Sequence, residues 1–250
     1  MSAEAPEVVE SDEERRAWWL RVPAVLVSPQ PVFAALRDDS DEAAEARQEQ
    51  MLALVLVAGV AGVLATSVAG RLLDDPAVDG LLVAVWAFIG GGIYGAAAYW
   101  LGGALLYTAL QALGSQGSYR RARHVLALAS TPLALSLLCL WPVKLALYGG
   151  DLFRSGGSDG GRGGAVFAWI GYAVFAWAAL LLLTGIRAVH GWTWARAGAA
   201  TAASVALPVL LVAAAKLAKR RLEQFEISEQ QWLGHWGLSA AGSCGSAHPS

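Results

Sequence analysis

Leu81 to Leu113 reads LLVAVWAFIGGGIYGAAAYWLGGALLYTALQAL, 33 residues without an acidic or basic side chain. The hydrocarbon core of a bilayer is about 30 Å thick and takes about 20 apolar residues as a helix. As one helix this run would be about 50 Å long. It must tilt, project beyond the core, or break at Gly90-Gly91-Gly92. Two separate spans would each be too short, so one long helix is the reading. Four further stretches qualify: Met51 to Leu73, Val125 to Tyr148, Ala165 to Ile186 and Ala197 to Ala215. Open strands would leave backbone groups unpaired in lipid, and the period-two alternation of barrel strands is absent. The fold class is all-α, a polytopic membrane helix bundle of five transmembrane helices with an N-terminal interfacial segment.

The composition agrees. Hydrophobic residues make up 56% of the 250-residue chain and charged ones 15%, against roughly 25% charged in a soluble domain. Mean hydropathy is +0.47. Such a chain needs lipid around it, which excludes a soluble enzyme. The formal charge of −2 leaves no basic footprint for nucleic acid. Met1 to Glu14 carries six carboxylates, unlike a secretory signal, and is expected to be disordered. Cys139 and Cys244 read as free thiols.

The connections between spans are polar. Asp74-Asp75-Pro76-Ala77-Val78-Asp79 is a short acidic turn, Gly114 to His124 is basic, Gly149 to Gly164 is Gly-rich, and Arg187 to Arg196 holds His190-Gly191-Trp192. With five spans the termini lie on opposite sides. The N-terminal side carries ten basic residues and the other side eight, so the positive-inside rule places the N-terminus in the cytoplasm. Lys216, Lys219, Arg220 and Arg221 pull the other way, and four or six spans would satisfy them. Arg outnumbers Lys by fifteen to three, and Ala, Gly and Val are abundant; that bias fits a GC-rich bacterial genome and places the chain in a bacterial plasma membrane. Residues 15–50 read as a cytoplasmic interfacial helical segment, 51–218 as the transmembrane domain and 219–250 as a polar tail. In the first of these, Trp18, Trp19 and Arg21 form an anchor at headgroup depth. Ser28 can cap a short helix with Pro29 at its first position; Val32, Phe33 and Leu36 then share a face suited to the membrane surface, and Pro31 and Phe33 are counted in the interfacial anchor.

This order of features resembles the Yip1 domain family. The resemblance lies in Pro29-Gln30-Pro31-Val32-Phe33-Ala34-Ala35-Leu36 ahead of the spans and in the basic loop Gly114-Ser115-Gln116-Gly117-Ser118-Tyr119-Arg120-Arg121-Ala122-Arg123. It continues in the apolar run Val125 to Pro132, in His190-Gly191-Trp192 and in Pro208. It covers residues 17 to 215 and implies a polytopic, non-enzymatic membrane protein. Eukaryotic members of the family act in vesicle traffic with Rab GTPases. A bacterial chain would share the architecture without that partner.

No Asp or Glu lies inside a span, which weighs against proton- or sodium-coupled transport. Arg71, Lys144, Arg187 and Lys216 sit near span ends and read as snorkelling to the headgroups. His124 and His190 sit at boundaries without the Cys or carboxylate companions of a metal site. Ser67, Ser130, Ser136 and Ser204 have no His at a matching depth for serine proteolysis. The loop Ser155 to Gly164 lacks the Lys-Ser/Thr of a phosphate cradle. No catalytic residue, metal or cofactor is therefore assigned.

The spans do carry small residues at four-residue spacing. Ala58, Gly62 and Thr66 share a face of the first. Gly91 and Gly95, continued by Ala98 and Gly102, share one of the second, and Gly198 and Ala202 one of the fifth. Such faces let helix backbones meet, within one bundle or with a second copy or partner helix. Beyond the bilayer, two functions compete. One is a membrane scaffold or adaptor. The other is an ion-uncoupled channel or solute transporter lined by Gly, Ser and Thr of the second and third helices.

Overall fold

A computed structural model describes residues 17–66, 80–149, 152, 162–207, 210 and 216. The acidic N-terminus, the acidic turn at 74–79, nearly all of the Gly-rich loop, Pro208, Cys244 and the tail 219–250 lie outside the described residues. All regular structure among the described residues is helical. The elements are α1 (Ala17–Val27), α2 (Pro29–Ala34, continued by a 3-10 turn Ala35–Arg37), α3 (Asp41–Leu64) and α4 (Gly80–Ala97, a π turn Ala98–Gly102, then Gly103–Ala112). They continue as α5 (Tyr119–Tyr148), α6 (Arg162–His190) and α7 (194–207). Four of these, α3 to α6, are long and apolar enough to cross a membrane. The chain is an integral membrane protein, all-helical over its described residues. The fifth stretch begins within α7, and most of its remainder lies outside the described residues.

The first spanning helix starts ten residues before its apolar run. Ser40 is its N-cap, its hydroxyl accepting from Ala43 N at 3.3 Å, with Asp41 and Glu42 in the first turn. Those carboxylates face the positive end of the helix dipole. Ahead of it, the Asp38 carboxylate accepts from Ser40 N at 3.1 Å, and this bond holds Asp38 below the usual carboxylate range. Ser28 stands at the cap position of α2, with Pro29 next, but its hydroxyl makes no capping bond. Its own N–H instead bonds to Ala24 O at the end of α1, so the two short helices meet at a corner.

The long run stays helical through Gly90-Gly91-Gly92. Helix α4 ends at Gly114, whose φ of +83° a side chain would resist. There Ser115 N reaches back to Leu110 O, which closes the helix end. Helix α5 bends at Ser130. Pro132 has no N–H to give to Leu128 O, and the Thr131 hydroxyl donates to that carbonyl at 2.7 Å beside a backbone N–H. Ser130 and Ser136 hydroxyls likewise add a second donor to Ala127 O and Leu133 O. Inside a membrane polar groups have to be satisfied locally, and these hydroxyls find their acceptors one turn back on their own helix.

Helix α3 packs along α4 and the middle of α5, while α6 packs against α2 and the first half of α5. The core gathers Trp18, Val25, Val32, Phe33 and Leu36 from the short helices with Met51, Tyr99, Leu106, Val125, Leu128 and Ile186 from the long ones. Contacts divide the chain into Met1–Ser204 and Val205–Ser250. In the second unit the described residues are helical, with Val205 and Leu210 exposed.

Candidate functional site: a buried arginine cluster

Two features of the bundle stand out: a glycine seam between α3 and α4, and a polar cluster at the end of the bundle where α1 and α2 pack.

The seam centres on Gly59. A Cβ on Gly59 would lie 2.6 Å from Gly95 Cα, one on Gly91 2.8 Å from Val60 N, and one on Gly95 3.1 Å from Leu56 Cα. No side chain fits there, and the two backbones meet directly. Between helices in lipid the attraction is dispersion, which falls off with any gap. Gly62 lies against the ring of Tyr94, and Gly102 against Leu126 of α5. A Cβ on Gly198 would meet nothing within 4 Å. Gly59 was not singled out in the sequence, where the four-residue register pointed to Ala58, Gly62 and Thr66.

The polar cluster was not visible in the sequence. Arg47 of α3 is fully buried, and so are Gln50, Tyr99 of the α4 π turn and His124 of α5. Arg47 Nε donates to His124 Nδ1 at 3.0 Å. That nitrogen must therefore carry a lone pair, and the imidazole is neutral with its proton on Nε2. Asp39 gathers three arginines: Arg47 Nη2 at 3.6 Å, Arg120 Nε at 3.4 Å and Arg121 Nη2 at 3.8 Å. Arg120 also donates to the Asp41 carboxylate at 2.7 Å and to Asp39 O at 2.8 Å. Arg121 Nη2 donates to Arg37 O at 2.8 Å, and Arg37 donates to Ala188 O near the end of α6. Charge-assisted bonds thus tie the α2–α3 corner to the start of α5 and the end of α6. Arg123 takes a different position. Its guanidinium lies 5.0 Å from the Tyr99 ring centroid and 4.7 Å from that of Tyr119, a cation–π sandwich. Tyr119 in turn donates to Trp100 O at 2.7 Å.

The residues read as an interfacial anchor take several positions. Trp18 is buried, with the Arg21 guanidinium 4.8 Å from its ring and that of Arg47 at 5.9 Å. Trp19, Arg21 and Pro31 are exposed. Phe33 is fully buried, because Gly185 of α6 leaves room for its ring; a Cβ there would lie 2.7 Å from Phe33 Cε1. His190 pairs with Ser115 Oγ at 3.3 Å. Arg196 donates to Leu113 O at the end of α4 and stacks on Trp192. Cys139 is a free, exposed thiol. Among the described residues no group of three His, Cys, Asp or Glu side chains could hold a metal.

The model of the Yip1 domain matches residues 24–217, which takes in α2 to α6, the seam and the cluster. The chain belongs to the Yip1 domain family. No curated protein and no solved structure gives a significant match. Within this Yip1 domain, then, Arg120, Arg121 and Arg123, read as a basic loop, form the start of the third spanning helix and feed an interior network rather than solvent alone.

Proposed function

We propose that this Yip1 domain protein is a non-enzymatic scaffold or adaptor of the bacterial plasma membrane, with its N-terminus in the cytoplasm. Its working surface is the N-terminal layer of α1 and α2. The observation that carries this reading is the way that layer is fastened. Arg37 bonds to α6, Arg121 bonds to Arg37 O, and Phe33 sits in the Gly185 notch. A segment held this way is a rigid platform on the bundle, suited to presenting Trp19, Leu20 and Val27 to lipid or to a partner. The backbone-to-backbone seam of α3 and α4 leaves no room for a conduit between those two helices. Small residues outside the seam, among them Gly90, Gly92 and Gly198, would serve a second copy or a partner helix.

Affinity capture of the tagged protein from native membranes after crosslinking tests the proposal. A reproducible partner that is lost when Arg37 and Phe33 are both replaced by Ala supports it. Solute flux through liposomes that carry the pure protein, without any partner, would favour the channel instead.

A further inference from the structure

We propose that the arginine cluster binds a phosphate group, held between α3, α4 and α5. Six buried donor atoms have no hydrogen bond among the described residues: Arg47 Nη1 and Nη2, the latter 3.6 Å from Asp39 Oδ1, with Arg121 Nε, Arg123 Nε, His124 Nε2 and Tyr99 Oη; Asp39 Oδ1 is itself buried without a hydrogen bond. Each such donor left bare costs about 1–3 kcal/mol, more where it is charged. Five of them form one neighbourhood, and Arg121 reaches it through Asp39, which it shares with Arg47. Arg47 and His124 are bonded, Arg123 stacks on Tyr99, and Tyr99 and His124 both lie in the fields of Arg47 and Arg123.

The charges are unbalanced in the direction an anion would correct. Arg47, Arg120 and Arg121 share the carboxylates of Asp38, Asp39 and Asp41, and Arg123 adds a fourth guanidinium beside them. His124 is neutral in this arrangement. Arg123 has no carboxylate within ion-pair distance among the described residues. Asp39 would repel an incoming anion, but it already faces Arg47, Arg120 and Arg121.

A tetrahedral oxyanion can accept from several directions at once, and these donors come from three helices. Guanidinium groups suit phosphate in particular because their N–H pairs match its oxygens. Arg120, Arg121 and Asp39 retain partial exposure, at 32%, 21% and 16% of their side chains. They mark the side from which a ligand would enter. The π turn that places Tyr99 belongs to the same picture, since such turns are frequent at functional sites. This proposal stands apart from the scaffold reading, because a bundle without a protein partner could still hold the anion.

The phosphate could belong to a lipid headgroup or be free in solution. The full chain, purified in maltoside micelles that contain no phosphate, is titrated with inorganic phosphate, with short-chain phosphatidylglycerol and with short-chain diacylglycerol. Melting temperature and Kd are followed. A hundredfold excess over Kd should raise the melting temperature by about 5–10 °C. A rise with inorganic phosphate identifies a free anion, and a rise with phosphatidylglycerol alone identifies a headgroup. Arg123→Gln should weaken binding at least about tenfold. Tyr99→Phe keeps the ring under Arg123 and removes one donor, so it should weaken binding about threefold. The proposal falls if neither phosphate ligand exceeds the diacylglycerol control. It falls equally if Tyr99→Phe and Arg123→Gln both bind phosphate as the unchanged chain does.

Discussion

Two ends of the same bundle are built on opposite terms. At the end where α1 and α2 pack, side chains from α2 to α6 interlock through arginines, and the core there includes Arg47 and His124. At the other, the start of α4, the first two-thirds of α6 and the end of α5 present Leu81, Phe88, Trp169, Tyr172 and Leu147 outward. Trp169 is 73% exposed. In water such a surface would be an aggregation site, whereas in a bilayer it is the solvated face. The contrast shows where shape is determined. Lipid does not drive apolar helices together, so the specific geometry must come from close backbone approach and from polar groups that find each other.

The largest effect should come from the seam that runs between these ends. Gly95→Leu, or Gly59→Leu, inserts a side chain where the two backbones touch, at a cost of about 3 kcal/mol or more. Loss of the monodisperse, folded form in detergent checks this, and an unchanged melting curve would sink the seam. Next comes the arginine end. Arg47→Ala leaves Asp39 and His124 without their buried partner and should cost about 3–5 kcal/mol. Replacing the bonded pair together, Arg47→Met with His124→Leu, should recover most of that loss, since apolar groups of similar volume often match a buried polar pair. A double-mutant cycle of melting free energies gives the coupling. A smaller effect belongs to the bend in α5, where Thr131→Ala removes the hydroxyl donor from Leu128 O and leaves its backbone donor, at about 0.5–1.5 kcal/mol. Least of all, Trp169→Leu on the lipid-facing half should stay within about 0.5 kcal/mol. If that substitution proved as costly as Arg47→Ala, the contrast between the two ends would disappear.

Much of this was readable from residues alone. An apolar run of spanning length can only be a helix in lipid, and the long uncharged run at 81–113 does stay one helix. Helix starts were less legible. Counting apolar residues put the first span at Met51 with a charged, Ala-rich helical stretch from Asp38 leading up to it; the cap at Ser40 sets the start at Asp41 and makes the two one rod. Hydropathy is blind to that, because a helix can rise out of the bilayer without changing its backbone. Gly91 and Gly95 could be picked out as a small face, but their counterpart at Gly59 depends on the rotation of α3. The Arg47–His124 pair could not be found from the sequence. An arginine among carboxylates reads as solvated, and its partner is 77 positions away. A structure was needed to see that the one buried arginine faces the one buried histidine among the described residues.

The glycine notch at residue 185 has a consequence of its own. Phe33 is held there by shape, with no charge involved, and a single methyl group on Gly185 would have to displace an aromatic ring. Gly185→Ala is therefore a release catch. It should loosen α2 from α6 while the α3–α4 seam stays closed, which separates the detachable front of the molecule from its fixed frame.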